Sequence, residues 1–145
     1  MNDIKDEIVD YLSRKKFVTL ATTTPDSKPL THTLAYVSKG PNIYFSTSKK
    51  SRKTINIQKN SNVAYSVYNE TEHLDEIRSI QMEGNATRIS DKKETEEILK
   101  MLGQKFPTML HLISHPDNFI IKITPKICYF TDYVKHAGIR EKVEY

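Results

Sequence analysis

Four cations surround the point at which a helix is predicted to begin, directly after a predicted strand. Residues 49–54 have the sequence Lys-Lys-Ser-Arg-Lys-Thr. The start of a helix carries a partial positive charge from its unpaired N–H groups, so cations are unfavourable there unless an anion is bound. If Ser51 is the N-cap residue, Arg52 and Lys53 occupy the first two helical positions and converge with backbone donors on one phosphate. An ordinary solvated run of charge is the alternative interpretation.

The elements on either side place this basic segment at a strand-to-helix corner. Residues 43–48 alternate apolar and polar side chains, which is typical of a strand. After the basic segment, Ile55 is predicted to face the core on a short helix that ends near residues 59–62, a cluster of polar turn formers.

The remaining periodicity predicts a mainly β protein with peripheral helices. Helical spacing indicates one helix over residues 3–14 and another that starts at Asp91. Residues 69–78 are too polar for a core and are predicted to form an exposed connection. Short connections favour antiparallel pairing, and a sheet of six or seven strands can curl into a barrel that removes its edges. Strand patterns cover residues 17–24, 30–38, 43–48, 63–68, 80–86, 119–124 and 127–133, and the last two segments, separated by Pro125, form either one long broken strand or two short ones.

Composition indicates one soluble globular domain over residues 1–145, because hydrophobic residues make up 37% and charged residues 28% of the chain. Cys128 is the only cysteine, which excludes an internal disulfide and a cysteine-rich zinc site. Because Cys128 lies within a strand pattern, we expect it to be a small buried hydrophobic residue rather than a nucleophile. The first residues lack the apolar core of a secretion signal, and no later run is long enough to span a bilayer. We therefore expect a cytoplasmic protein without membrane contact.

Two other kinds of site are weakly indicated. His111 and His115 are four residues apart and would share one face of a helix, but no carboxylate lies between them as in a zinc protease. The net charge of +4 would suit a nucleic acid, but the cations are concentrated in one short segment, and the tyrosines follow strand periodicity rather than a stacking platform. We expect neither a metal site nor a nucleic-acid partner.

Several segments in a fixed order now resemble a known family, the FMN-binding split barrels related to pyridoxamine 5'-phosphate oxidase, including the short general-stress proteins. The resemblance covers nearly the whole chain. It is carried by residues 17–22, the hairpin strand 28–36, residues 44–54, the pattern Ile80-x-Met82-x-Gly84-x-Ala86, and residues 125–130.

The resemblance implies a homodimer that holds two FMN molecules at its interface. The second strand would run beside the isoalloxazine ring, and the corner would hold the ribityl chain and the phosphate. A residue of the fifth strand, Gln81 or Ser79, would reach the flavin of the partner subunit, although a solvent-facing position is an equally good interpretation of Gln81. Two interpretations also apply to His32: a polar residue next to the flavin, or a hydrogen-bonded histidine without a catalytic role. The implied cofactor-binding residues are His32, Thr33, Leu34, Ala35, Ser46, Thr47, Ser51, Arg52, Lys53, Thr54 and Gln81.

The expected activity is that of a flavin-dependent oxidoreductase acting on a small molecule that the sequence does not identify. No catalytic side chain is identified, because the flavin would supply the redox chemistry. The true oxidases carry a C-terminal arginine and histidine for the substrate phosphate, and we assign neither His136 nor Arg140 to those roles. A non-catalytic flavin-binding or stress-related protein is the alternative, as is the same fold binding haem or a deazaflavin. Arg52 and Lys53 favour a phosphate but do not distinguish FMN from a deazaflavin.

Overall fold

The computed structural model describes residues 3–135 and 138–145, and in these residues helices surround one central sheet. The strands are β1 (Phe17–Thr23), β2 (Pro29–Ala35), β3 (Val37–Lys39), β4 (Asn42–Ser48), β5 (Asn62–Tyr68), β6 (Arg78–Arg88), β7 (Asn118–Asp132) and β8 (Arg140–Glu144). The helices are α1 (Ile4–Arg14), α2 (Arg52–Lys59), α3 (Lys92–Lys105) and the four-residue α4 (Leu110–Ile113).

The sheet is antiparallel and curls on itself. Its strand order is β2-β1-β5-β6-β7-β4-β3, with β8 paired to β7. The two longest strands, β6 and β7, pair along their length but shift register between Glu83 and Gly84. A bulge of this kind bends a strand and increases its twist. The result is a curled half-barrel with peripheral helices, which confirms the predicted antiparallel split barrel.

The core lies on both faces of the sheet. The inner face packs against α1, whose Ile8, Tyr11 and Leu12 are buried. On the outer face, α3 covers β4 and β7 through Ile98 and Leu102. The side chains of β4 alternate between these clusters, since its residues 43 and 45 belong to the inner one and residue 44 to the outer one. This alternation determines which face each candidate site residue occupies.

Three features differ from the sequence prediction. The side chain of Ile55, predicted to face the core, is 41% exposed, because Ile57 occupies the face of α2 that packs against the core. The predicted strand 30–38 is divided at Tyr36, because β2 pairs with β1 whereas β3 pairs with β4. Of the two arrangements predicted around Pro125, the structure has the single long strand, since β7 continues through Pro125, which pairs with Gly84 at the bulge. The polar tail contains β8, which pairs with residues 127–131 of β7.

The length and hydropathy of the helices also bear on membrane contact. In residues 3–135 and 138–145, no helix is long and apolar enough to cross a membrane.

Candidate functional site

The basic segment forms the predicted corner between β4 and α2. Ser51 is the N-cap residue of α2, and its hydroxyl accepts a hydrogen bond from the backbone N–H of Thr54 at 3.3 Å. Arg52 and Lys53 are the first two helical residues, and the first turn contains no acidic side chain. The N–H groups of the first helical turn have no intrahelical partner, and the cap occupies that of Thr54. The backbone N–H groups of Arg52 and Lys53 therefore point outward from the corner. The side chains of the same two residues add two positive charges there.

The hydroxyl groups of Thr47, Ser51 and Thr54 form a hydrogen-bond network that supports the corner. The Ser51 hydroxyl lies 3.0 Å from Thr47 Oγ1 and 2.8 Å from Thr54 Oγ1. The Thr54 hydroxyl also donates to the carbonyl oxygen of Ser48 at 2.7 Å. Thr54 is 0% exposed and Thr47 is 4% exposed, so both hydroxyls lie beneath the surface. These contacts fix the angle at which α2 leaves β4.

The cations of the corner have few counter-charges. Lys49 Nζ lies 3.3 Å from Asp117 Oδ1. In the part of the chain that the structure describes, no ion pair involves Lys50, Arg52 or Lys53. Partial burial lowers the pKa of Lys53, and the neighbouring charge of Arg52 lowers it further. A partly buried cation without a counter-charge beside a second cation is the electrostatic signature of an anion site.

His32 on β2 lies on the same face as this corner. Its position pairs with Leu20, which is buried on the inner face of the sheet. Burial lowers the pKa of His32, and the charges of Lys53 and Arg52 lower it further, in that order. His32 Nε2 lies 3.3 Å from the hydroxyl of Thr22, which accepts a hydrogen bond from Asn56 Nδ2 at 3.0 Å. The ring is therefore close to the cations and held by β1 and α2.

The rest of β2 alternates across the sheet. Leu34 lies on the inner face with His32 and packs against the core, whereas Thr33 is exposed on the opposite face. Ala35 ends the strand and is half-buried. In the described part of the chain, β2 pairs only with β1, so its other edge presents free backbone donors and acceptors.

Two predicted residues lie apart from the corner. Ser46 faces away from Thr47, and its hydroxyl donates to the carbonyl oxygen of Ile113 at 2.6 Å and accepts from Asn118 Nδ2 at 2.9 Å. Gln81 is exposed on the outer face of β6, in a depression of about 400 Å³. Its neighbours Ile80 and Met82 are buried on the inner face. Because Gln81 and His32 lie on opposite faces of the sheet, one chain alone does not bring them together.

The structure does not place His111 and His115 on one face of a helix. The helix α4 ends at Ile113, so His115 lies beyond it and the helical spacing that would align it with His111 is lost. His115 Nδ1 instead accepts the backbone N–H of Asp117 at 3.1 Å. Among the described residues, no group of three or more His, Cys, Asp or Glu side chains is arranged to hold a metal.

Three further residues were singled out in the sequence: Cys128, Arg140 and His136. Cys128 is completely buried, and burial raises the pKa of its thiol to about 12, as expected of a small core hydrophobe. Arg140 is exposed in β8 and pairs with Thr131. His136 lies outside the described residues.

Sequence reasoning missed Thr22 and Asn56. Thr22 is 2% exposed and Asn56 is 5% exposed. A polar residue at an inward position of β1 is a weak signal for Thr22, but its partners lie 10 and 34 residues away along the chain. Only the folded chain shows that these polar groups meet beside the cations.

The antiparallel half-barrel with a basic corner between a strand and a helix defines the class as a split-barrel protein. The chain belongs to the pyridoxamine 5'-phosphate oxidase family, whose sequence pattern matches residues 4–132. No curated protein matches the chain significantly.

Solved structures share this fold at low sequence identity. A conserved hypothetical protein of Mycobacterium tuberculosis is 19% identical, with a TM-score of 0.81 over 100% of this chain and 93% of that one. General stress protein 26 of Bacillus anthracis is 22% identical, with a TM-score of 0.70 over 98% of each chain. The haem storage protein HutZ of Vibrio cholerae is 16% identical, with a TM-score of 0.73 over 86% of this chain and 92% of that one. At these identities the likeness concerns the fold alone.

Proposed function

We propose that this chain binds FMN and that the corner between β4 and α2 holds its phosphate. The observation that carries the proposal is the partly buried Lys53, which lies beside Arg52 at a helix start without a counter-charge. A dianionic phosphate would accept hydrogen bonds from both side chains and from the exposed N–H groups of the first turn. The Ser51 hydroxyl would face the same group, while Thr47 and Thr54 support it from below.

The donor set fits a phosphate better than it fits a metal or a neutral ligand. Two cations, a hydroxyl and outward N–H groups are all hydrogen-bond donors, and no carboxylate lies in the first turn of α2. A phosphate ester offers only acceptors at neutral pH, so the two sets are complementary. The same argument applies to a deazaflavin that carries a phosphate.

The flavin ring would lie along β2, where residues 32–35 provide a free strand edge. Backbone donors and acceptors on such an edge match the polar edge of an isoalloxazine ring. Ser46 and Thr47 at the end of β4 would line the ribityl chain, Ser46 through its backbone because its hydroxyl is bonded to Ile113.

A second copy of the chain would complete the site. The outer face of β1, β5 and β6 carries small and polar side chains around the Gln81 depression, including Ala21, Ala64 and Ser66. The small side chains on this face permit the close approach of another sheet. In a homodimer built on this face, Gln81 or Ser79 would contact the flavin of the partner subunit, which one chain alone does not allow.

The activity proposed is that of a flavin-dependent oxidoreductase with a small-molecule substrate. FMN supplies the transfer of electrons when it is bound. The chain would bind the cofactor, orient it and limit water around it, and no side chain of the site is assigned a catalytic role.

Haem binding is the second candidate function. It is supported by the similarity of the fold to a haem storage protein, HutZ of Vibrio cholerae. A flavin-binding or stress-related protein without efficient turnover is a further form of the main proposal, supported by the likeness to general stress protein 26.

The visible spectrum of the purified protein separates these functions. We expect flavin absorption, release of FMN on denaturation, and stoichiometric FMN binding by the stripped protein. A Soret band with no FMN binding would instead support haem. Reduction of bound FMN by NADH or NADPH, followed by reoxidation with candidate acceptors, then separates an enzyme from a binder. A colourless protein that does not bind FMN would contradict the main proposal.

A further inference from the structure

A chain of three side chains links α2 to β2 directly beside the basic corner. The Asn56 amide nitrogen contacts Thr22 Oγ1 at 3.0 Å, and Thr22 Oγ1 contacts His32 Nε2 at 3.3 Å. Thr22 and Asn56 are almost fully buried, so water does not compete freely for these bonds. We call this chain the Asn56–Thr22–His32 relay.

The direction of each hydrogen bond follows from the chemistry of the groups. The Asn56 amide nitrogen can only donate, so Thr22 Oγ1 is its acceptor. The single hydroxyl proton of Thr22 is then free for the other contact, which is His32 Nε2. If Nε2 carried a proton instead, the buried hydroxyl proton of Thr22 would lose this acceptor, and unsatisfied buried donors are unfavourable. The relay therefore favours a neutral ring whose proton is on Nδ1.

The surroundings of the ring disfavour a second proton on it. His32 is half-buried, and its Nδ1 has no hydrogen-bond partner among the residues that the structure describes. Burial lowers the pKa of His32, and the charges of Lys53 and Arg52 of α2 lower it further. The relay supplies no carboxylate from β1 or α2 to offset them.

We propose that Thr22 and Asn56 are positioning residues that hold His32 in its Nδ1–H tautomer, so that His32 donates a neutral hydrogen bond to the phosphate bound by Arg52 and Lys53. The proposal rests on the proposed phosphate site and adds three things to it: the protonation state of His32, and the two buried residues that determine it. A neutral N–H donor beside two cations selects a ligand oxygen that only accepts hydrogen bonds, such as an oxygen of a phosphate dianion.

The tautomer is measured first, in the protein without ligand, by ¹⁵N NMR of the histidine rings. We expect His32 to carry its proton on Nδ1. His115 is a control in the same spectrum, because its Nδ1 accepts the Asp117 N–H and its proton must be on Nε2. A His32 ring with its proton on Nε2, or a doubly protonated ring at neutral pH, would overturn the proposal.

Two variants then test the direction of the relay. Asn56→Asp replaces the donor by an acceptor, so the Thr22 hydroxyl turns to the new carboxylate and His32 is expected to change to the Nε2–H tautomer. Thr22→Val removes the hydroxyl at nearly constant volume and should also release the Nδ1–H form, whereas Thr22→Ser should retain it. If neither variant folds, the spectrum of the unmodified protein still decides the tautomer. Variants that fold and keep the Nδ1–H tautomer would contradict the assigned roles.

Binding measurements connect the tautomer to the phosphate. Thr22→Val should weaken FMN binding about 10- to 100-fold, because one hydrogen bond to a charged acceptor is lost. Binding of riboflavin, which lacks the phosphate, should not change. Equal losses for FMN and riboflavin would show a merely structural role and overturn the proposal.

Inorganic phosphate separates failure of this proposal from failure of the proposed function. If the unmodified protein binds phosphate but not FMN, the proposed function fails, and the effect of Thr22→Val on phosphate affinity still tests the relay. If it binds neither, the phosphate contact of His32 is refuted together with the site. If it binds both and Thr22→Val changes neither, only the relay is refuted.

Discussion

Lys105 Nζ, at the C-terminal end of α3, lies 4.4 Å from the centroid of the Tyr36 ring, which lies between β2 and β3. The same ammonium group donates to the carbonyl oxygen of Lys15, just after α1. Tyr36 in turn donates its hydroxyl proton to the carbonyl oxygen of Leu12 at 2.6 Å. The two side chains thus satisfy carbonyl groups at the C-terminal end of α1 and tie it to α3 and to the β2–β3 connection.

The protonation of Lys105 should make stability depend on pH. Burial, and then the charge of Lys16, lowers the pKa of Lys105 from 10.5 to about 8. From about pH 8 to pH 9 the unfolded chain binds a proton that the folded chain does not, so the free energy of unfolding rises with pH. Above about pH 9 two buried groups oppose this rise, because burial raises the pKa of Cys128 from 9.0 to about 12 and that of Tyr11 from 10.0 to about 12.

Lys105→Met removes the titrating group and should flatten the rise in melting temperature between pH 8 and pH 9. Thermal unfolding of the unmodified and variant proteins over this range is the measurement. Lys100→Met, on the exposed surface of the same helix, is the matched control and should preserve the rise. Parallel curves for the unmodified protein and Lys105→Met would contradict the role assigned to Lys105.

The corner cations should have opposite effects on FMN binding and on the stability of the free protein. The double variant Arg52→Gln, Lys53→Gln should weaken FMN binding by roughly 100-fold or more, because a hydrogen bond to a charged group contributes about 1.5–3 kcal/mol, or about 10- to 100-fold for each of the two cations. The free protein should not lose stability, because the substitution removes two cations from a positive helix start.

FMN titration and urea unfolding of the ligand-free protein measure these two effects. The control Lys49→Gln, Lys50→Gln removes two cations of the same segment that precede the N-cap residue. It should change FMN affinity only slightly. Equal losses in both double variants would show that the segment acts through its overall charge rather than through a defined phosphate site.

Much of this corner was predictable from local sequence. A strand pattern, a serine and a short helical pattern follow one another within 17 residues, and each signal is local. The assignment of Ser51 as N-cap depended on nothing farther along the chain, and the structure confirms it.

The features that sequence did not predict depend on distant pairing. The break at Tyr36 arises because β2 and β3 join different neighbours, and the polar tail becomes β8 only because β7 has a free edge beside it. Likewise, the resemblance to the family grouped Ser46 with Thr47, but alternation along β4 places their hydroxyls on opposite faces. Local patterns predict which elements form, whereas tertiary pairing determines which side chains meet.

The bulge that bends the barrel should not tolerate a side chain at Gly84. A Cβ atom there would lie 2.6 Å from the carbonyl oxygen of Thr124 and 3.0 Å from Ile123 Cγ2. Because the nearest atom belongs to the backbone of the paired strand, the strands would have to separate, at a cost of about 2–3 kcal/mol.

Gly84→Ala should therefore lower the urea midpoint of unfolding with little change in its slope. Gly103→Ala on α3 is the matched control. Its Cβ would meet only the flexible end of Leu110, at 3.0 Å, and alanine favours a helix interior over glycine by about 0.5–1 kcal/mol. A Gly84→Ala protein as stable as Gly103→Ala would contradict the close approach of β6 and β7.

Substitutions at Thr54 test whether the corner must be rigid in order to bind FMN. Its hydroxyl donates to the carbonyl oxygen of Ser48 and contacts Ser51 in a fully buried position. Thr54→Val keeps the volume but removes this hydroxyl, so the Ser48 carbonyl oxygen keeps only the N–H of Ser51 as a donor, which should cost about 1 kcal/mol of folding free energy. Thr54→Ser retains the hydroxyl and loses one methyl group, at a cost of about 1 kcal/mol.

The two variants should therefore differ more in binding than in stability. With the hydroxyl network intact, Thr54→Ser should bind FMN nearly as tightly as the unmodified protein. Thr54→Val should bind it several-fold more weakly, because the start of α2 is no longer fixed against β4. Urea unfolding and FMN titration of both variants are the measurements. If Thr54→Val binds FMN as tightly as Thr54→Ser does, the network stabilises the fold without positioning the phosphate donors.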